Sequence, residues 1–173
     1  FENLKNAFLS FVKNIPFYGF AVVCIDHPVV QQLVQQIPDR RIITYGFDKE
    51  ADVQVSKITA TETGSCFDVI LRNRGKTNSG SIERLELPMY GEHNVLNSLA
   101  ALAISLEMGT NEDLIRAGLR DFTVGNRGFT KTGICNGIVV IDDYAHHPVE
   151  IHAALNAARL ACGLGKVIVV FQP

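Results

Sequence analysis

The chain has 173 residues, 47% of them hydrophobic and 20% charged, which suits one folded domain of ordinary size or parts of two and excludes a disordered segment. A net charge of −2 provides no basic surface for nucleic acid or an anionic membrane, so neither is expected as a partner. The longest apolar runs are short, such as Phe20–Ile25 and Val167–Phe171, far too short to cross a bilayer as a helix.

From the start, Leu4, Ala7, Phe8, Phe11 and Val12 recur at helical spacing, so residues 2–14 read as an amphipathic helix. Gly19–Ile25 follows as a short, β-branched apolar run, the pattern of a buried parallel strand. Asp26 with Pro28 reads as the start of a second helix, since proline in the first turn forfeits no needed hydrogen bond; that helix ends near Pro38. Arg41–Tyr45 reads as another strand.

From Ala51 to Leu87 the pattern changes to three strand-like stretches around Val53–Ile58, Phe67–Leu71 and Ile82–Leu87. Turn residues at Thr63–Ser65 and Asn73–Gly80 separate them, which predicts an antiparallel set of three. Leu96, Leu99, Ala100, Ala103 and Leu106 place a helix over 93–108, closed by Gly109. Thr110 then reads as the cap of a helix over 111–121, with Asp113 in its first turn. Residues 122–133 are rich in Gly and Thr and read as a linker, so two domains are expected, 1–123 and 124–173. Strand Ile138–Ile141, helix Pro148–Ala161 and strand Lys166–Phe171 complete a strand–helix–strand unit, which predicts a parallel crossover. The fold class is therefore α/β.

Cys24, Cys66, Cys135 and Cys162 show no C-x-x-C spacing, so neither a disulfide framework nor a zinc site is expected. Three of them lie in apolar or strand-like stretches, where free thiols are usually buried. No signal peptide pattern is visible, and the cytoplasm is the expected compartment. The chain opens at Phe1 inside a helical pattern and stops at Pro173 just after a predicted strand, which reads as a segment of something longer.

Three stretches carry more polar chemistry than a scaffold needs. In the first, Gly91–Asn97, His93, Asn94 and Asn97 fall in the opening turns of a helix, with the two asparagines on one face. A carboxamide offers both donor and acceptor, which suits the edge of a base such as adenine. Equally, one asparagine would cap the helix and the other would be a surface residue.

The second stretch is Asp142–Pro148, at the carboxyl end of a predicted strand, where ligands of open α/β sheets bind. Asp142, Asp143, Tyr144, His146 and His147 could hold ribose hydroxyls, orient a phosphate or move protons. The alternatives are a polar loop before a capped helix and a metal site, although adjacent histidines lack the spacing of a metal-binding helix. In the third stretch, Val124–Phe129, Arg127 could clamp a phosphate bidentately or be only a solvated charge. No phosphate loop of the G-x-x-x-x-G-K-[ST] type occurs; Arg74-Gly75-Lys76-Thr77 reads as a hairpin turn. Nor does G-x-G-x-x-G follow any predicted strand, which argues against a dinucleotide-binding domain.

Taken together, G-E-H-N-V-L-N-S-L-A-A-L-A at 91–103, I-D-D-Y-A-H-H-P at 141–148 and V-F-Q-P at 170–173 resemble the Mur ligase family, as do N-I-P-F-Y-G at 14–19 and I-T-Y-G-F at 43–47. The D-D-Y-A-H-H-P and V-F-Q-P stretches resemble the branch that acts on UDP-N-acetylmuramate and L-alanine. The resemblance implies the rear of a central ATP-binding domain, followed by the opening of a Rossmann-like C-terminal domain. It implies ATP and Mg2+, with the phosphate lysine and the metal ligands upstream of Phe1, and no metal ligand among the residues of this chain. It implies adenine contacts from His93, Asn94 and Asn97, a ribose contact from Asp143, and Tyr144 and His146 facing the reaction cleft. Where the family carries two arginines directly before a phenylalanine, this chain has only Arg127, with Gly128 in the second place. The expected activity is formation of an amide through an acyl phosphate. The 173-residue chain alone is expected not to turn over, and a non-catalytic adenosine-binding module is the alternative.

Overall fold

A computed structural model describes residues 1–72, 80–122, 129–146 and 148–172, with the side chain of Val149 excepted. The first part is built on a five-stranded mixed sheet. β1 (Ala21–Cys24), β2 (Ile42–Gly46), β3 (Val53–Ala60), β4 (Ser65–Leu71) and β5 (Gly80–Leu87) lie side by side in that order. β1, β2 and β3 run parallel, while β3, β4 and β5 form the expected antiparallel set. Helices α1 (Glu2–Lys13), α2 (Pro28–Gln35), α3 (Glu92–Glu107) and α4 (Glu112–Arg120) complete it.

Alternation along the strands decides which face is buried. Val53, Val55, Phe67, Val69, Ile82, Leu85 and Leu87 point to one side, where Val95, Leu99 and Leu102 of α3 and Ile115 and Leu119 of α4 cover them. Burial of these side chains is the main force holding α3 to the sheet, at roughly 1.5–3 kcal/mol for each large one. The junction of β2 and β3 is pinned by the buried Asp52. Its Oδ2 accepts from the Thr44 N–H and the Thr44 hydroxyl, each at 2.8 Å, and its own N–H donates back to Thr44 Oγ1 at 2.9 Å. At the carboxyl ends of β1 and β2, Asp26 Oδ1 accepts from the N–H groups of Phe47 and Asp48 at 2.8 and 2.9 Å. Gly46 leaves room for that carboxylate: a Cβ there would lie 2.2 Å from Asp26 Oδ1.

Several local expectations are corrected. β1 is half-buried rather than buried, because it forms an edge of the described sheet. The cap of α4 is Asn111, whose Oδ1 accepts from the Asp113 N–H at 2.7 Å; Thr110 instead donates its N–H to Ser105 in the turn that ends α3. The cap of α2 is His27 rather than Asp26, since its ring nitrogen accepts from the Val29 N–H. No cysteine is fully buried, and Cys135 is exposed.

The second part begins earlier than the linker reading allowed. Thr130–Cys135 is strand β6, paired antiparallel with β7 (Ile138–Asp142) across a turn at Asn136 and Gly137, both with left-handed φ. Helix α5 (Pro148–Cys162) follows. Residues 166–172 form no strand, because none of the described residues gives them a hydrogen-bonded neighbour, and the parallel crossover is therefore not formed here. The expected turn at Arg74–Thr77 and the linker at 123–128 lie outside the described residues. No helix among the described residues is long and apolar enough to cross a membrane.

Candidate functional site

The polar stretches singled out in the sequence meet at the start of α3. Gly91 is its N-cap, with φ of +96°, and no side chain caps the helix. A Cβ at Gly91 would sit 2.8 Å from the His93 ring, so the residue must be glycine for both its φ and its neighbour. Asn94 does not cap the helix. It is half-buried, and its Nδ2 donates to the Tyr90 carbonyl at 2.8 Å, which fixes the carboxamide and leaves Oδ1 as an acceptor. Asn97, one turn on, is exposed on the same face.

His93 joins this helix start to the loop after β7. It is half-buried, and burial pushes its imidazole below the ordinary range, while the Asp143 carboxylate opposes that shift. Asp143 is itself organised by backbone: Oδ2 accepts from the Phe129 N–H and Oδ1 from the Ala145 N–H, both at 2.7 Å. Ala157 of α5 is buried beside Gly91. Helix α5 thus approaches the opening of α3, and the loop between β7 and α5 lies next to the asparagine face.

Two further side chains project from that loop. Tyr144 is 71% exposed, and its ring meets the His146 ring edge-on, with centroids 5.3 Å apart. The His146 ring is oriented from behind: Nδ1 lies 3.1 Å from the Tyr144 carbonyl oxygen and 3.5 Å from Glu150 Oε2. An imidazole held through one nitrogen in this way can accept or deliver a proton at the other. His146 also donates its N–H to Glu150 at 3.3 Å.

So the structure brings His93 and Asp143 together and groups Asn94 and Asn97 on one face beside them. Tyr144 and His146 project from the same loop as Asp143. Arg127 and His147 lie outside the described residues. Sequence reasoning missed Tyr90, Phe129 and Glu150. The signal for Glu150 was available, since it stands four residues after His146, a spacing at which helical side chains pair. Tyr90 and Phe129 are brought together only by the fold. Among the described residues, no three of His, Cys, Asp and Glu converge as a metal site would require. An apolar hollow of about 390 Å³ lies between α1, α2 and β1, and none of the expected site residues lines it.

The comparisons with known proteins identify the framework. The family model of the Mur ligase middle domain matches residues 1–105, and that of the Mur ligase glutamate ligase domain matches residues 127–173. The chain belongs to the Mur ligase family.

Within it, the UDP-N-acetylmuramate–L-alanine ligase of Paramagnetospirillum magneticum is 53% identical over 172 residues, covering 99% of this chain and 36% of that relative. The protein of the same name from Rhodospirillum rubrum is 51% identical over 173 residues, covering 100% of this chain and 36% of the relative. The chain thus spans little more than a third of the curated relatives it matches. Among solved structures, MurF from Acinetobacter baumannii superposes with a TM-score of 0.74 at 22% identity, covering 92% of this chain and 33% of that one. The folylpolyglutamate synthase of Mycobacterium tuberculosis superposes at 0.65 with 21% identity, covering 82% and 30%. These likenesses establish a shared α/β fold, with a Mur ligase middle sheet followed by a second, smaller sheet.

Proposed function

We propose that this chain is the rear of the middle domain, residues 1–123, and the opening of the C-terminal domain, residues 124–173, of a UDP-N-acetylmuramate–L-alanine ligase. Such an enzyme uses ATP to activate the muramate carboxylate as an acyl phosphate, and the amine of L-alanine then displaces phosphate. This is a step of peptidoglycan synthesis, placed in the cytoplasm. The observation that carries the reading is identity of 51–53% to ligases of that name across the whole chain.

The geometry supports a role at the nucleotide. Asn94, held through Nδ2 to Tyr90, offers an acceptor and a second N–H to a base edge, and Asn97 adds another carboxamide on the same face. His93 closes the base side of that face. Asp143, at the loop beside it, is the group for the ribose hydroxyls. Arg127 is the candidate for a phosphate contact. Tyr144 and the oriented His146 face the reacting groups, where they would position the incoming amine or accept its proton. When bound, Mg2+ would neutralise phosphate charge. Its ligands are assigned, on the family resemblance, to the part of the protein upstream of Phe1.

A second reading, a non-catalytic adenosine-binding module, draws on Gly128, which stands where the family carries the arginine assigned to the nucleotide. Activity separates the two. A protein joining this segment to the rest of its relatives' length should release ADP only when UDP-N-acetylmuramate and L-alanine are both present. The 173-residue chain, with no phosphate loop, should release none. ADP release indifferent to L-alanine would reject the ligase assignment. Nucleotide binding without any release would favour the module.

A further inference from the structure

Tyr90 and Phe129 belong to different parts of the chain, yet their rings meet edge to face, with centroids 6.3 Å apart and planes at 66°. Each is fixed by further bonds. The Tyr90 hydroxyl donates to the Glu62 carbonyl at 2.5 Å, between β3 and β4, and its own carbonyl accepts the Asn94 carboxamide at 2.8 Å. Phe129 stands at φ of +42°, a left-handed conformation that a bulky residue adopts only when its surroundings impose it. The Asp143 carboxylate takes the Phe129 N–H at 2.7 Å and holds Ala145 with its other oxygen.

The chain of contacts is continuous: Asn94 to the Tyr90 backbone, the Tyr90 ring to the Phe129 ring, the Phe129 amide to Asp143, and Asp143 to the loop bearing Tyr144 and His146. Its two ends are the base-contacting and reaction-facing groups of the proposed site. Strain of this kind concentrates where a fold over-determines a functional geometry.

We propose that Phe129 is a positioning residue: clasped by Tyr90 and by Asp143, it sets where the Tyr144–His146 loop stands relative to the start of α3. It acts through that loop. The inference rests on the ligase reading for its consequence, but not for its geometry. Removing the ring leaves the backbone bonds that hold Asp143, and with them the nucleotide contacts, in place; it should displace Tyr144 and His146, and misplacing reaction-facing groups costs turnover rather than affinity.

Two measurements test it. In the whole ligase, Phe129→Leu should lower kcat about tenfold with the KM for ATP unchanged within about twofold, and Phe129→Tyr, which keeps the ring, should restore kcat. A rise in KM alone, or no change in kcat, overturns the proposal while leaving the ligase reading intact. The second readout needs no activity. The 173-residue chain has no tryptophan, so Phe129→Trp introduces a single tryptophan, which can be excited selectively over the tyrosines. Its emission should be that of a packed indole and should shift to the red when Tyr90→Ala is added. The reciprocal pair, Tyr90→Trp with and without Phe129→Ala, should behave the same way if the first variant does not fold. Emission indifferent to the partner ring in both pairs overturns the joint. A whole protein without alanine-dependent turnover, but with the coupled emission, would fail the ligase reading alone.

Discussion

His93 is the residue whose surroundings say most about the site. Half-buried beside Asp143, its ring is held toward the neutral form by desolvation, the larger influence, against the pull of the carboxylate. The folded pKa therefore lies below the unfolded value of 6.5. Between those two values the unfolded chain binds the proton more readily. Stability is thus highest above about pH 6.5, falls as the pH drops toward the folded pKa, and levels off below it. Denaturant midpoints at about pH 7.5 and about pH 5.5 should converge more in His93→Gln than in the parent chain. An equal loss in both would remove His93 as the cause.

The types and spacing of Asn94, Asn97, Asp143 and His146 were legible in the sequence. The partners that fix them were not. Glu62, Tyr90 and Phe129 come together through a hairpin turn and a backbone conformation that no local pattern encodes.

At the scale of elements, α3 joins the core to the site. Its buried stripe of Val95, Leu99, Leu102 and Ala103 lies on the sheet, while its first turn carries His93 and Asn94. Leu99 is fully buried, so Leu99→Ala should cost about 2–5 kcal/mol of unfolding free energy. Chemical denaturation measures it; a loss under about 1 kcal/mol would mean that the helix is not held by that stripe. Periodicity revealed α1 to α4 and the five strands; α3, α4 and β3 to β5 place an apolar face in the core, whereas no residue of α1 or α2 is buried. It failed at Thr130–Cys135, a Gly- and Thr-containing stretch whose strand character comes from pairing with Ile138–Asp142. It failed in the opposite sense at 166–172, where a β-branched apolar run has no neighbour among the described residues to complete a ladder.

For the whole molecule, the mixed sheet and the small β6–β7 ribbon place two sequence-distant stretches against one another, 91–97 and 143–146. This juxtaposition is the basis of the functional reading. Composition gave no reason to expect nucleic acid or a membrane helix, and the motifs pointed to the family, but only the fold sets the Asp143 loop beside the opening of α3. Adenosine is expected to sit there. A crystal structure of the whole protein with a non-hydrolysable ATP analogue tests it most directly. The base is expected against Asn94 and Asn97, with a ribose hydroxyl within about 2.6–3.2 Å of Asp143. A nucleotide ordered elsewhere, with both asparagines facing solvent, would contradict the account.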